Sequence, residues 1–245
     1  MMTLNNPSAL LPDLFDLTVV FPISIVFVLF TGKIAAYVRS RGYRTNYSRK
    51  VFHFIVFTTA FIISFYCSVD VVAAFGAGAG FALMAIILLR HNIMGDIFNA
   101  LARESDDPHR IYFLIVPFIA TALGGVISAI LFPGWYMAGY LATGWGDAAG
   151  EPIGVRWGRH TYRIPTLTST RAVRTIEGSL GVFFMSGMAI AIALTLAARD
   201  MNFILLSAIF GGLAMMIVEA ISPHGWDNMT TMLAVDATIW IINII

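Results

Sequence analysis

Windows of about 20 mostly apolar residues, the length a helix needs to cross a bilayer, can be laid along nearly the whole of this chain. They fall near 14–34, 52–69, 71–89, 111–131, 134–150, 179–198, 202–220 and 228–245. A hydrophobic share of 58%, against 12% charged residues, excludes an ordinary soluble domain of this length. The expectation is an all-α polytopic membrane protein with about eight transmembrane helices, forming a single domain over residues 1–245. The opening residues, MMTLNNPSALLPDLFD, hold no basic side chain ahead of the first apolar run, so that run is expected to remain as a span. The lone cysteine, Cys67, leaves no internal disulfide and no cysteine metal cluster.

The basic residues set the orientation. With these spans, fourteen of the fifteen lysines and arginines fall on one side and only Arg199 on the other. The positive-inside rule makes the basic side cytoplasmic, and both termini are then expected outside. The connection RSRGYRTNYSRKVFHF brings Arg49, Lys50 and His53 to the start of the second span, with Arg49 and His53 on one face. Attraction to anionic lipid headgroups accounts for such a block, and a direct role at a substrate is the alternative. In the third connection Ile93, Ile97, Phe98 and Leu101 mark one side of a helix expected to lie in the membrane interface. Asp96 and the nearby Glu104, Asp106 and Asp107 read as a solvated acidic loop.

One stretch, Gly144 to Ser179, differs from everything on either side of it. Three carboxylates, five arginines and a row of glycines crowd into it. Ionisable groups beside hydrocarbon need water, a ligand or internal partners. Gly146, Gly150, Gly154 and Gly158 recur every four residues, a bare helical face along which another backbone or a phosphate can approach. Taken alone they indicate helix packing. Asp147 and Glu151 stand one turn apart on one side of the same helix, and paired hard oxygens suit magnesium, which takes one or two carboxylates plus substrate phosphates. Pro152 is expected to break or kink that helix. Beyond it, Arg156, Arg159, Arg163, Arg171 and Arg174 offer planar donors to phosphate oxygens, and Thr166, Thr168, Ser169 and Thr170 add hydroxyls. RTIEGS then opens the sixth span, putting Thr175, Glu177 and Ser179 at a helix N-terminus that favours an anion.

A last polar cluster, EAISPHGWDNMTTM, carries Glu219, Asp227 and Asn228 on the same side of the membrane. Asp227 is a further candidate metal ligand beside Asp147 and Glu151, and Asn228 a candidate to orient a ligand. Asp236, well inside the last span, reads as a buried hydrogen-bonding residue.

Together these motifs resemble the CTP-dependent lipid alcohol kinases, the family of phytol kinase, dolichol kinase, polyprenol kinase and the CTP-using diacylglycerol kinase. The resemblance rests on GDAAGEPIGVRWG at Gly146 to Gly158, RTIEGS at Arg174 to Ser179, DNMT at Asp227 to Thr230 and, more loosely, RKVFH ending at His53. It covers most of the membrane domain. It implies transfer of a phosphoryl group from CTP to the hydroxyl of a membrane lipid alcohol on the cytoplasmic side, with Mg2+ or another divalent cation. In this resemblance the motif-bearing segment 144–179, together with 219–230, carries the site. Arg174 departs from the lysine often found there, and a guanidinium is not equivalent to a point-charge ammonium.

The residues themselves exclude a P-loop kinase. No GxxxxGK[ST] stretch exists, and the only lysines are Lys33 and Lys50. The HRD and DFG pieces of protein kinases are missing too. On this reading Asp147, with Glu151 or Asp227, holds the cation; Gly146, Gly150, Gly154, Lys50, Arg156, Arg159, Arg171, Arg174, Thr175, Ser179 and Asn228 line the nucleotide; the general base is Asp227, Glu177 or His53. A cytidylyltransferase acting on a lipid phosphate is the first alternative, since HGWDNMT is faintly similar to the ending of phosphatidate cytidylyltransferases. The second is a non-catalytic lipid transporter, although charges gathered at one surface favour an enzyme over a transporter's midplane site.

Overall fold

The computed structural model describes residues 11–168 and 172–245. Among them are nine α-helices: α1 (Phe21–Ser40), α2 (Thr45–Tyr66), α3 (Val69–Leu88), α4 (Gly95–Leu101), α5 (Tyr112–Leu131), α6 (Tyr136–Trp157), α7 (Ile176–Leu196), α8 (Met201–Ile221) and α9 (Asp227–Ile244). A π-helical turn, Asp16–Val20, leads into α1. Between α6 and α7 the chain forms a short antiparallel pair, β1 (Thr161–Arg163) and β2 (Val173–Thr175). Six helices are long and apolar enough to cross a membrane: α1 with its leading turn, α2, α3, α5, α7 and α8. The sequence windows number eight, and the difference lies at α6 and α9. Both have the length, but α6 holds five glycines with Asp147 and Glu151, while α9 opens on Asp227 and Asn228 and contains Asp236.

The structure groups into two compact units, divided after Phe118 within α5. In the N-terminal unit α1 packs on α2, α3 and α4. The apolar side of α4 is spent on protein rather than on the membrane interface. Ile97, Phe98 and Leu101 are buried with Ala35 and Ile86, and only Ile93 stays exposed. Of the acidic connection, Asp96, Glu104 and Asp107 are solvent-exposed, as expected, while Asp106 is buried. Asp106 is buried against Arg103 at 3.0 Å, Glu104 meets Arg39 at 2.5 Å, and Asp96 meets Lys33 at 2.8 Å.

In the C-terminal unit α6, α7, α8 and α9 pack in succession, and α6 also meets α9. Glycine is a poor helix former, so α6 owes its helicity to packing rather than to propensity. Its glycine stripe is filled by protein. A side chain at Gly146 would strike Met215 of α8 at 2.7 Å, at Gly150 Val182 of α7 at 2.5 Å, and at Gly154 Thr175 at 2.8 Å. α6 also runs unbroken through Pro152, against the expected break. The ring removes one amide and one hydrogen bond, and the tight seating of the flanking glycines on α7 holds the helix axis across the gap. Asp236 is fully buried, accepting hydrogen bonds from the Ser128 hydroxyl of α5 and from the Gly139 amide of α6, the latter at 2.9 Å.

Candidate functional site

Three carboxylates remote in sequence meet in the C-terminal unit. Asp147 lies past the middle of α6, Glu219 in the last turn of α8, and Asp227 at the first residue of α9; each offers an oxygen, and the three oxygens lie within 4.8 Å of one another. Two like charges at that distance repel by about 3 kcal/mol at an effective dielectric of about 20, so such a trio requires a cation or protons. The protein supplies one cation itself. Arg174 contacts Glu219 Oε1 with Nη1 and Asp227 Oδ2 with Nη2, both at 2.5 Å, and Nη1 also donates to the Glu219 carbonyl at 2.8 Å. All three side chains are largely enclosed, at 16% exposure for Arg174, 7% for Glu219 and 13% for Asp227. Burial works against the guanidinium charge, but the carboxylates of Glu219, Asp227 and Asp147 outweigh it and hold its pKa above the ordinary value.

The strand pair and the start of α7 deliver Arg174. In a strand alternate side chains face opposite ways: Val173 is exposed, whereas Arg174 turns to the carboxylates. Tyr162 is its cross-strand partner and hydrogen bonds through its hydroxyl to Ser179 at 2.6 Å. Thr175 then caps α7, accepting from the Gly178 amide at 3.0 Å. The pair is also tied to the turn before α9, where the His224 amide donates to the Pro165 carbonyl at 2.9 Å.

The other candidate residues are distributed as follows. Glu151 is outside the carboxylate trio, and Glu219, which the sequence places in the final polar cluster without a ligand role, stands in it. Glu177 serves the backbone of the preceding loop, accepting from the Arg159 amide at 3.0 Å and meeting His160 Nδ1 at 2.7 Å. Thr175 and Ser179 are engaged in the cap and with Tyr162, and Asn228 donates to Thr121 at 2.7 Å. Gly146, Gly150 and Gly154 face α7 and α8, not an open surface. Arg156 and Arg159 are exposed, Arg156 lying over the Trp157 ring. Arg171, with Ser169 and Thr170, lies outside the described residues. Lys50 and His53 belong to the N-terminal unit, where Lys50 is buried and His53 stacks on Phe57 with ring centroids 4.1 Å apart.

Sequence reasoning gave no role to Tyr162 and no ligand role to Glu219. The signal for Glu219 is an acid in the last turn of an otherwise apolar helix, a position that calls for a partner. Tyr162 carries no such signal, because its place follows from a strand register that three residues hardly announce. As a donor set, three carboxylates are hard oxygen ligands that suit magnesium, manganese or calcium over softer metals. Compared with protein-family models, with curated proteins and with solved structures, the chain matches none.

Proposed function

We propose that this protein is a membrane-embedded phosphotransferase that moves a phosphoryl group from CTP to the hydroxyl of a lipid alcohol of the polyprenol, phytol, dolichol or diacylglycerol type. The observation that carries the proposal is the meeting of Asp147, Glu219 and Asp227 with Arg174 in one enclosed cluster within a chain of membrane-crossing helices. Phosphoryl transfer asks chiefly for positioning and for positive charge at the phosphates, and little covalent chemistry from the protein. Asp147, Glu219 and Asp227 would hold a divalent cation, which would supply neutralisation of the nucleotide phosphates. Arg174 adds planar donors on the same side. Asp227 is the one candidate base within the cluster, so it is assigned the proton of the lipid hydroxyl as the oxygen–phosphorus bond forms and CDP leaves. The choice of CTP rests on the motif resemblance. With α6 and α9 counted as crossings besides the six apolar helices, the clustering of basic residues favours a site on the cytoplasmic side with both termini outside.

The test is an assay of the purified protein with radiolabelled CTP, Mg2+ and a panel of lipid alcohols, and in parallel with lipid phosphates. Release of CDP with labelled lipid phosphate supports the kinase; release of pyrophosphate from lipid phosphate would establish the cytidylyltransferase instead. Asp147→Asn is expected to lower the transfer rate on the order of a hundredfold or more, with the purified protein still folded. Full activity in that variant would remove the metal role.

A further inference from the structure

Arg174 is bonded to two of the three carboxylates that a metal would need. It lies 2.5 Å from Glu219 Oε1 and 2.5 Å from Asp227 Oδ2, and it is wedged between the two carboxylates. The three ligand oxygens lie within 4.8 Å of one another. Around magnesium, with oxygens at about 2.1 Å, even opposite ligands stand only about 4.2 Å apart and adjacent ones about 3 Å. A cation bound by all three would draw on Glu219 and Asp227, and a guanidinium bonded to both of these carboxylates competes for them. It also places a like charge within a few ångströms of the ion, in surroundings that screen poorly. A guanidinium committed to two carboxylates has, moreover, few donors left for a phosphate.

We infer that Arg174 is a tethered counter-cation of the Asp147, Glu219 and Asp227 cluster, which a divalent ion displaces on binding and which then turns to the nucleotide phosphates. This rests on reading the cluster as a metal site, and it adds an order of events: the metal enters first and frees the arginine. The backbone need not move. Arg174 is fixed from both sides, by pairing with Tyr162 in the strands and by the Thr175 cap that follows, so rotation of its long side chain suffices. Its hydrogen bond to the Glu219 carbonyl can outlast the loss of the two carboxylates, keeping the guanidinium near the site.

The experiment is Mn2+ binding to the full chain in detergent, read from the electron paramagnetic resonance signal of free Mn2+ with no nucleotide or lipid present. Arg174→Gln is expected to bind Mn2+ at least about tenfold more tightly than the wild type, the direction set by removing a nearby like charge. Arg174→Lys, which keeps the charge but loses the planar fork, is expected to fall between them. Equal or weaker binding in Arg174→Gln, or in Arg174→Lys should the glutamine variant fail to fold, overturns the inference and makes the arginine a builder of the site. No Mn2+ binding by any of the three proteins overturns it as well. Tighter binding in a protein that phosphorylates no alcohol leaves the displacement standing and sinks the kinase reading, so the two failures are separable.

Discussion

Asp236 and Gly139 illustrate how single residues hold the C-terminal unit together. The carboxylate occupies the space that a side chain at position 139 would need, and it bonds the amide of that same glycine. Gly139→Ala is therefore expected to destabilise the protein by roughly 1–3 kcal/mol, as overpacking of a buried site does. Asp236→Asn keeps the shape and one acceptor and is expected to cost less. Thermal unfolding in detergent should rank the two in that order. At this scale the sequence is informative about ionisable groups and silent about their pairing. Asp147, Arg174 and Asp227 stand out because charges are scarce in so apolar a chain. That Glu219 joins them, 72 residues from Asp147 along the chain, depends on how α6 and α8 pack, and nothing local encodes it.

Among elements, α6 and α7 form the closest contact that the site depends on. A side chain added at Gly178 would meet the backbone carbonyl of Gly150 at 2.8 Å, whereas one at Gly150 meets a side-chain methyl of Val182 at 2.5 Å. Gly178→Ala is therefore expected to lower the unfolding temperature more than Gly150→Ala, and to reduce Mn2+ affinity by shifting α6 and its Asp147 relative to β2 and its Arg174. Equal effects would indicate that side-chain room, not backbone approach, limits the contact. The helices of 20 or so apolar residues were legible because their length matches a bilayer. The glycine repeat was legible as a feature, but its occupant was not: packing and phosphate binding both require a bare face, and only the fold shows α7 seated there. Pro152 misleads for a related reason, since the local rule against proline in a helix knows nothing of the neighbour that steadies α6.

For the whole molecule, the uneven distribution of basic residues predicts a single orientation in the membrane. In a Cys67→Ser background, His160→Cys at the exposed loop before β1 is expected to react with a membrane-impermeant maleimide only when the cytoplasmic face is open. A cysteine in place of Arg199 is expected to react from the opposite face. Labelling of both from one side would overturn the proposed topology. Of the two compact units, only the C-terminal one carries the carboxylates and Arg174, a division that the continuous apolar sequence does not announce.

The placing of Arg174 immediately ahead of the hydroxyl that starts α7 acts as a ruler. An extra residue inserted between Arg174 and Thr175 would leave α7 where it is yet swing the guanidinium to the outer surface. Added length in the stretch joining the two strands would leave it aimed as before. Variants of this chain should therefore tolerate gaps and additions there while keeping the Arg-Thr step intact, and a library of such length changes, screened for Mn2+ binding, would show where the measure is fixed.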